Sequence, residues 1–192
     1  MAYPRRIDEA GSTYHVNAKA VAGLSVYRDD YDRDRFLAML GSEVVRSKWR
    51  VLAYALLSTH YHVLLTLEEP TLSSGFQRLN GRYARSYNRR WDRRGAVWQR
   101  RFFDAQVVSD AHLLETTRYI ALNPKRANMC AAPEDWPWCS YGGTIGAFRS
   151  DPIIDEAAIL RLFDKDPARA RAEYRRFVEE KDPRERRSQI RI

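Results

Sequence analysis

The sequence predicts an α+β fold in which helices cover one small antiparallel sheet. Strand-like and helix-like patterns alternate along the chain in the order β-α-β-β-α-β-α. The connection between the two central strands, near residues 58–60, is too short for the crossover that parallel strands need. With 192 residues, of which 44% are hydrophobic, the chain is long enough to fold as one domain with a proper core.

The strands are predicted from short apolar runs bounded by polar or turn-forming residues. The first run, STYHVNAKAVA, alternates loosely between polar and apolar residues, whereas VLAYALLS and YHVLLTLE are almost continuously apolar. The fourth run, AVWQRRFFDAQVV, begins after Gly95. The predicted strands span residues 12–22, 51–58, 61–68 and 96–108.

Helices are predicted where apolar residues recur every three or four positions. Thr71 or Ser73 is a candidate N-cap of the second helix, and Ser109 or Asp110 of the third, which Pro124 closes. The stretch CAAPEDWPWCSYGG is predicted to be a loop. The predicted helices span residues 29–49, 71–91, 110–123, 155–163 and 167–181.

This order of elements predicts a ferredoxin-like antiparallel sheet with flanking helices over residues 1–146. Residues 147–192 form a short, basic, helical C-terminal extension in this prediction. We expect no membrane span, because no run of about 18 apolar residues is present, and no signal peptide, because the N-terminus lacks an apolar core. Cys130 and Cys139 form no CxxC motif, which fits a reducing cytoplasm.

Two of the four histidines, His60 and His62, flank Tyr61 at the start of the third predicted strand. Alternate residues of a strand share a face, so both imidazoles point the same way and can converge on one divalent cation. A pair of half-buried histidines held by hydrogen bonds would have the same spacing. The metal-site hypothesis therefore needs a third ligand and a nucleophile.

The third predicted helix offers both groups. Tyr119 and Asn123 are one helical turn apart on one face, and an asparagine amide oxygen is a suitable ligand for a hard cation. The alternative is that Tyr119 lies at the edge of the core and that Asn123 caps the helix ahead of Pro124. The core face of this helix is expected to carry Leu113, Leu114, Thr117 and Ile120.

A strongly basic region predicts a polyanionic partner. The formal net charge is +8, and the segment from Arg78 to Arg101, both included, has nine arginines but a single acidic residue. Arginine suits planar recognition of phosphates and stacking on bases, although a solvated basic face is the alternative. The candidate nucleic-acid-binding residues are Arg78, Arg82, Arg85 and Arg89, at helical spacing, together with Arg100 and Arg101.

These motifs, taken in order, resemble those of the IS200-like single-tyrosine transposases, and most of all the REP-associated tyrosine transposases of bacteria. The resemblance covers residues 4 to about 142. It departs from the family at NAKAVAG, where relatives often carry RGN, and at LSTH, where they usually have MPNH. The matching phrases are PRRIDEAGSTYHV, AYALLSTHYHVLLTLEEP, LNGRYARSYNRR, GAVWQRRF, RYIALNPKRANM and PEDWPWCSY.

The resemblance implies a function. The family's His-hydrophobic-His motif falls on His60-Tyr61-His62, its nucleophile on Tyr119 and its third metal ligand on Asn123, with Mg²⁺ or Mn²⁺ as the cofactor. The implied substrate is single-stranded DNA with a hairpin, which is cleaved through a 5′-phosphotyrosine link and rejoined. His112, seven residues before Tyr119, is a candidate base for the tyrosine, and a merely solvent-facing histidine is the alternative. The chain is expected to act in the cytoplasm as a monomer or a homodimer.

Two other functions remain open at this point. A non-catalytic, domesticated relative would regulate through DNA hairpins and would need neither the metal nor Tyr119. A metal-dependent nuclease that activates water would cleave DNA without a covalent intermediate.

Overall fold

The computed structural model describes residues 8–180 and confirms the predicted antiparallel sheet with flanking helices. Its strands are β1 (Thr13–Lys19), β2 (Trp49–Leu56), β3 (His60–Leu67) and β4 (Phe103–Val107). They lie in the order β2-β3-β1-β4, and each neighbouring pair is antiparallel. This is the ferredoxin-like arrangement, with β1 and β3 in the centre. Residues 4–7 of the first matching phrase and residue 181 of the last predicted helix lie outside the described range.

All five predicted helices are present among the described residues, although the one predicted over residues 155–163 is shortened to Glu156–Leu160. They are α1 (Asp30–Ser47), α2 (Leu72–Arg90), α3 (Asp110–Arg126), α4 (Ser140–Thr144), α5 (Glu156–Leu160) and α6 (Pro167–Glu179), with a short 3₁₀ turn at Pro133–Asp135. Ser109 caps α3 by accepting the backbone N–H of His112. Thr71 is the N-cap residue of α2, but its hydroxyl makes no capping bond and donates to the Ser47 carbonyl at 2.8 Å. Asp8 accepts the backbone N–H of Ser73 instead.

The sheet separates two hydrophobic cores because successive strand residues point to opposite faces. On one face, Tyr61, Val63 and Leu65 of β3 belong to the core that includes the buried side of α1 and α2. On the other face, Leu64 belongs to a second core with α3. The extension contributes to this second core through Ile159, Leu160, Ala170, Tyr174 and Val178 of α5 and α6.

The prediction that Pro124 ends α3 is wrong, since the helix continues to Arg126. Proline has no N–H, so the carbonyl of Ile120 loses its helical donor at this position. The Cys139 thiol lies 4.0 Å from that oxygen as a weak donor, and Pro124 itself is buried. Helix α3 therefore continues past Pro124 where it packs against the segment around Cys139.

The fourth strand is shorter than predicted. Only Phe103–Val107 is a strand, whereas residues 96–102 form a loop that reaches the end of β1 through a bridge between Ala20 and Trp98. Val97 and Phe102 are buried, but the residues from Gln99 to Arg101 are all exposed, so the alternation of a strand is absent here. The stretch predicted to be a loop after residue 130 also contains the 3₁₀ turn and α4.

A buried ion pair joins α1 to α2. Glu43 is only 1% exposed, and Arg78 donates to its Oε1 atom from Nη2 at 2.6 Å and from Nε at 3.0 Å. The Ser47 hydroxyl donates to the same oxygen at 2.6 Å. A buried carboxylate needs such partners, because its desolvation is otherwise uncompensated. Arg78 therefore has a structural contact, while its predicted part in binding nucleic acid stays a prediction.

We expect Arg78→Ala to destabilise the protein, because it leaves the Glu43 carboxylate buried without its cation. The expected loss in the free energy of unfolding is about 2–3 kcal/mol, slightly less than for a fully buried pair because the Arg78 side chain is 34% exposed. Urea unfolding would measure it. Arg82→Ala, at the next and exposed position of the arginine series, is the matched control and should change stability by about 0.5 kcal/mol or less. Equal losses in both variants would contradict a special role for the pair.

Candidate active site

The two histidines of β3 lie on the face of the sheet that α3 covers. Tyr61, between them, points into the opposite core, where its ring packs 4.8 Å from that of Phe36. The rings of His60 and His62 are therefore on one side, with their centroids 5.1 Å apart and their planes nearly perpendicular. His62 is buried, whereas His60 is half-buried at the start of the strand.

Tyr119 projects from α3 beside these rings. Its ring centroid lies 5.3 Å from that of His62, edge to face, and the side chain is 42% exposed. The rotation of α3 follows from its neighbours: Ile120 is buried in the second core, and the guanidinium of Arg118 lies 3.7 Å from the centre of the Phe177 ring on α6. With both flanking residues turned inward, Tyr119 remains accessible from solvent.

Asn123 follows one turn after Tyr119 on α3. Its side-chain Nδ2 donates to the Tyr119 carbonyl at 3.4 Å, and the residue is half-buried. Because this contact uses the amide nitrogen, the amide oxygen is the atom with which Asn123 could bind a cation. One rigid helix thus carries both the predicted nucleophile and the predicted third ligand.

A third histidine, His15 of β1, also lies at the site and was not among the predicted residues. Its Nε2 atom is 2.9 Å from Nδ1 of His62, and its ring centroid is 5.9 Å from that of Tyr119. The signal for its face is present in the sequence, since Tyr14 and Val16 on either side of it are apolar. Its neighbour across the sheet depends on the register between β1 and β3, in which Asn17 lies opposite His62.

Burial keeps the imidazoles of the site neutral. It lowers the pKa of His62 well below the usual value, and the nearby His15 and His60 lower this pKa further. Burial, helped by His112, also lowers the pKa of His15 to about 4. The pKa of His60 is lowered by burial and by Lys19. A neutral imidazole has a free lone pair, which is the form that binds a metal ion.

The Nε2 atom of His62 has the environment expected of a metal ligand. It is buried and has no hydrogen-bond partner among residues 8–180. Leaving a buried polar atom unpaired costs about 1–3 kcal/mol, and coordination to a cation would use this lone pair. Within the same residues no group of three His, Cys, Asp or Glu side chains is arranged to hold a metal ion, so a complete site needs another kind of ligand, such as an amide.

The predicted DNA-binding arginines lie elsewhere on the molecule. Arg82, Arg85 and Arg89 are exposed on α2, which covers the face of the sheet opposite to Tyr119. Arg100 and Arg101 are exposed in the loop 96–102 and line a groove with Trp98. This loop adjoins the end of the sheet where β3 begins, because Gln99 donates to the carbonyl of Lys19, which lies opposite His60.

Comparison with known proteins defines the class to which this fold and site belong. Residues 12–123 match the family model described as IS200-like transposase, which is more than half of the chain. The protein therefore belongs to the IS200-like transposase family. No helix within residues 8–180 has the length and apolar character needed to cross a membrane.

One curated relative indicates which members of the family this chain resembles. A protein described as a REP-associated tyrosine transposase of Haemophilus influenzae is 28% identical over 104 residues, which are 48% of this chain and 59% of the relative. The matched segment thus spans less than two thirds of the relative's length. The predicted resemblance to IS200-like and REP-associated transposases is confirmed.

Solved structures support the fold. A REP-associated tyrosine transposase bound to a REP hairpin superposes with a TM-score of 0.66 at 18% identity, over 80% of this chain and 90% of that one. A transposase structure from Deinococcus radiodurans has a TM-score of 0.44 at 18% identity, over 69% of this chain and 100% of that one. At such identity, the first match establishes a shared fold.

The half-buried His15 should make the metal-free protein less stable in acid. Because its pKa of about 4 in the folded state lies below the ordinary value of 6.5, the unfolded chain binds the proton first, and stability falls as the pH drops through this interval. We expect the thermal midpoint, measured with EDTA between about pH 7 and about pH 4.5, to fall further in the wild type than in His15→Phe. Each 1 kcal/mol corresponds to about 2–4 °C for a chain of this size. Parallel curves for the two proteins would contradict this assignment.

Proposed function

We propose that the protein cleaves and rejoins single-stranded DNA that carries a hairpin, with Tyr119 as the nucleophile. The observation that carries the proposal is the contact between an exposed tyrosine on a rigid helix and His62, with the Tyr119 ring 5.3 Å from that of His62, which in turn lies 5.1 Å from that of His60. Membership of the IS200-like family supports it, as does the REP hairpin bound to the structural relative.

In this proposal His60, His62 and Asn123 hold a divalent cation, Mg²⁺ or Mn²⁺. The cation, when bound, supplies positive charge that polarises an oxygen of the scissile phosphate. Imidazole ligands bind Mn²⁺ intrinsically better than Mg²⁺, whereas the greater abundance of Mg²⁺ in the cell favours binding of Mg²⁺. The buried, unpartnered Nε2 atom of His62 is the feature of the site that supports such a ligand set.

Tyr119 supplies the chemistry of strand cleavage. Its phenolic oxygen attacks the scissile phosphorus, a bond forms between them, and the bond from phosphorus to the 3′ oxygen breaks. The leaving 3′ oxygen takes up a proton from water, so the products are a 5′-phosphotyrosine link and a free 3′-OH, and one phosphate ester bond replaces another. A 3′-OH can therefore reverse the step and rejoin DNA. His112, exposed in the first turn of α3, is the candidate acceptor for the phenolic proton.

DNA binding involves a larger surface in this proposal. The phosphates contact Arg82, Arg85 and Arg89 on α2, with Arg100 and Arg101 in the loop 96–102. Residues 147–192 remain a separate helical extension in the proposed division of the chain at residue 146. The part of it up to residue 180 supports α3, through the ring of Phe177 against Arg118 and through Tyr174 in the second core. The proposal places the protein in the cytoplasm, with the genome, as a monomer or a homodimer.

Tyr119→Phe should abolish both covalent attachment and strand cleavage, because it removes the attacking hydroxyl and little volume. The measurement is a denaturing gel of the protein with labelled single-stranded hairpin DNA and Mn²⁺, in which the wild type gives a covalent band. Hairpin binding by the variant should persist. Tyr31→Phe, which changes another exposed tyrosine on α1, is the matched control and should leave the band intact.

Each rival function has its own outcome in that experiment. Hairpin binding without cleavage by the wild type indicates the non-catalytic binder. Cleavage without a covalent band indicates a nuclease that uses activated water. Undiminished attachment in the Phe variant, with DNA mapped by mass spectrometry to another tyrosine, means that the nucleophile is wrongly assigned.

Removal of the exposed arginines of α2 should weaken DNA binding at every sequence to a similar degree. Each of Arg82→Ala, Arg85→Ala and Arg89→Ala should lower the slope of log affinity against log salt by about 0.7, as expected for one phosphate contact on a single strand. Fluorescence anisotropy across a salt series measures this slope. Arg46→Ala on α1 is the control for loss of one exposed arginine, and a triple variant with the wild-type slope would exclude α2 as the DNA surface.

A further inference from the structure

The side chain of His15 makes a direct hydrogen bond to one of the proposed metal ligands. Its Nε2 atom lies 2.9 Å from Nδ1 of His62, and the two rings are tilted by 31° with their centroids 5.0 Å apart. The other ring nitrogen of His62, Nε2, is buried and has no partner among the described residues. The two nitrogens of His62 thus have different environments, one paired and one open.

This contact requires one proton between two neutral rings, and its position determines what His62 can do. If the proton is on Nδ1 of His62, the Nε2 atom carries a lone pair and can bind a cation. If the proton is on His15, the remaining proton of His62 is on Nε2, where it is a buried donor without an acceptor and blocks coordination. Only the first arrangement leaves a ligand at the site.

We propose that His15 is a positioning residue that accepts the Nδ1 proton of His62 and so keeps the Nε2 atom of His62 available for the cation. The inference rests on the proposed metal-dependent function and deepens it, since it assigns a role to a residue outside the ligand set. Outer partners of this kind fix both the tautomer and the ring orientation of a metal-bound histidine. His15 can act in this way because the antiparallel register places it diagonally across from His62.

The choice of an imidazole as the outer partner has an electrostatic consequence. Carboxylates and backbone carbonyls commonly accept the proton of a metal-bound histidine, and a carboxylate adds a negative charge beside the metal. Neutral His15 adds none. A cation held by neutral ligands and supported by a neutral partner keeps its full charge toward an anionic phosphate.

The same ring also limits the space available to Tyr119. The ring centroid of Tyr119 is 5.9 Å from that of His15 and 5.3 Å from that of His62, and Tyr119 meets both rings edge to face. The ring of Tyr119 therefore packs against the hydrogen-bonded pair of imidazoles. His15 is a positioning residue in both respects, because it contacts a ligand and the nucleophile.

The test compares His15→Phe, which keeps a ring but has no acceptor, with His15→Gln, whose amide oxygen can accept the proton. Thr13→Val is the matched control, since it breaks another side-chain contact between β1 and β3, the one from Thr13 to Thr66 at 2.8 Å. The ¹⁵N shifts of His62 in the metal-free protein report which ring nitrogen is protonated. Isothermal titration calorimetry with Mn²⁺ reports the affinity.

We expect the wild type to carry the His62 proton on Nδ1 and His15→Phe to bind Mn²⁺ about 10- to 100-fold more weakly. His15→Gln should restore most of the affinity, and Thr13→Val should retain it. A wild-type His62 protonated at Nε2, or equal Mn²⁺ affinity in the wild type and the Phe and Gln variants, would overturn the inference. If the Phe variant does not fold, the wild-type tautomer and the Gln variant still decide the matter.

Failure of the proposed function has a different signature. A wild type with the expected His62 tautomer and tight Mn²⁺ binding, but without a covalent DNA adduct, would retain the role of His15 and reject Tyr119 chemistry. An adduct that forms with equal Mn²⁺ affinity in all of the His15 variants would retain the proposed function and reject the role of His15.

Discussion

The alternation of side chains along β3 is the constraint on which the rest of the site depends. Because β3 is paired on both edges, with β1 and β2, its backbone is fixed and each residue has a fixed face. Tyr61 points into the first core and donates a hydrogen bond to Asn80 there, so His60 and His62 must both point toward α3. A shift of one residue in register would bury both imidazoles among α1 and α2 and leave the α3 face without them.

The second constraint is the packing that fixes α3. This helix carries Tyr119 on its accessible side only because Ile120 and the unusual buried cation Arg118 occupy its inner side. Arg118 is paired with Glu115 at 3.2 Å and covered by Phe177 of the extension. The extension thus lies far from the imidazoles in sequence, yet it contacts the helix that bears the tyrosine. A change in α6 would reach the site through the orientation of α3 rather than through a ligand.

The sequence could predict features that depend on residues close together in the chain, but not contacts between residues that are far apart in it. The shared face of His60 and His62 and the one-turn spacing of Tyr119 and Asn123 depend on local periodicity, so they could be predicted. The contact of His15 with His62 depends on the register between strands 47 positions apart, which no local pattern contains. The pairing of Arg78 with Glu43 is equally remote, at a separation of 35, and it engages an arginine whose spacing alone suggested a free basic face.

The continuation of α3 beyond Pro124 is a further case in which tertiary contacts outweigh local preference. A proline inside a helix removes one backbone hydrogen bond and is a sound local stop signal. Here the freed carbonyl of Ile120 is buried beside Cys139, and Pro124 is itself part of the packed inner side of α3. The sequence pattern could not reveal this compensation, because Cys139 belongs to a segment without strong periodicity.

In the proposed reaction, the positive charge that attracts DNA and the residues that cleave it lie on different parts of the protein surface. The histidines at the site are neutral, so without a cation the imidazoles offer little attraction to a phosphate. The exposed arginines lie across the sheet on α2 and in the loop 96–102, which meets the sheet at the end where His60 begins. In the proposal, a strand that binds this arginine surface and also reaches Tyr119 passes around that end of the sheet, with Arg100 and Arg101 on its path. The proposal thereby assigns attraction of the DNA and activation of its phosphate to different faces of the sheet, joined by one loop.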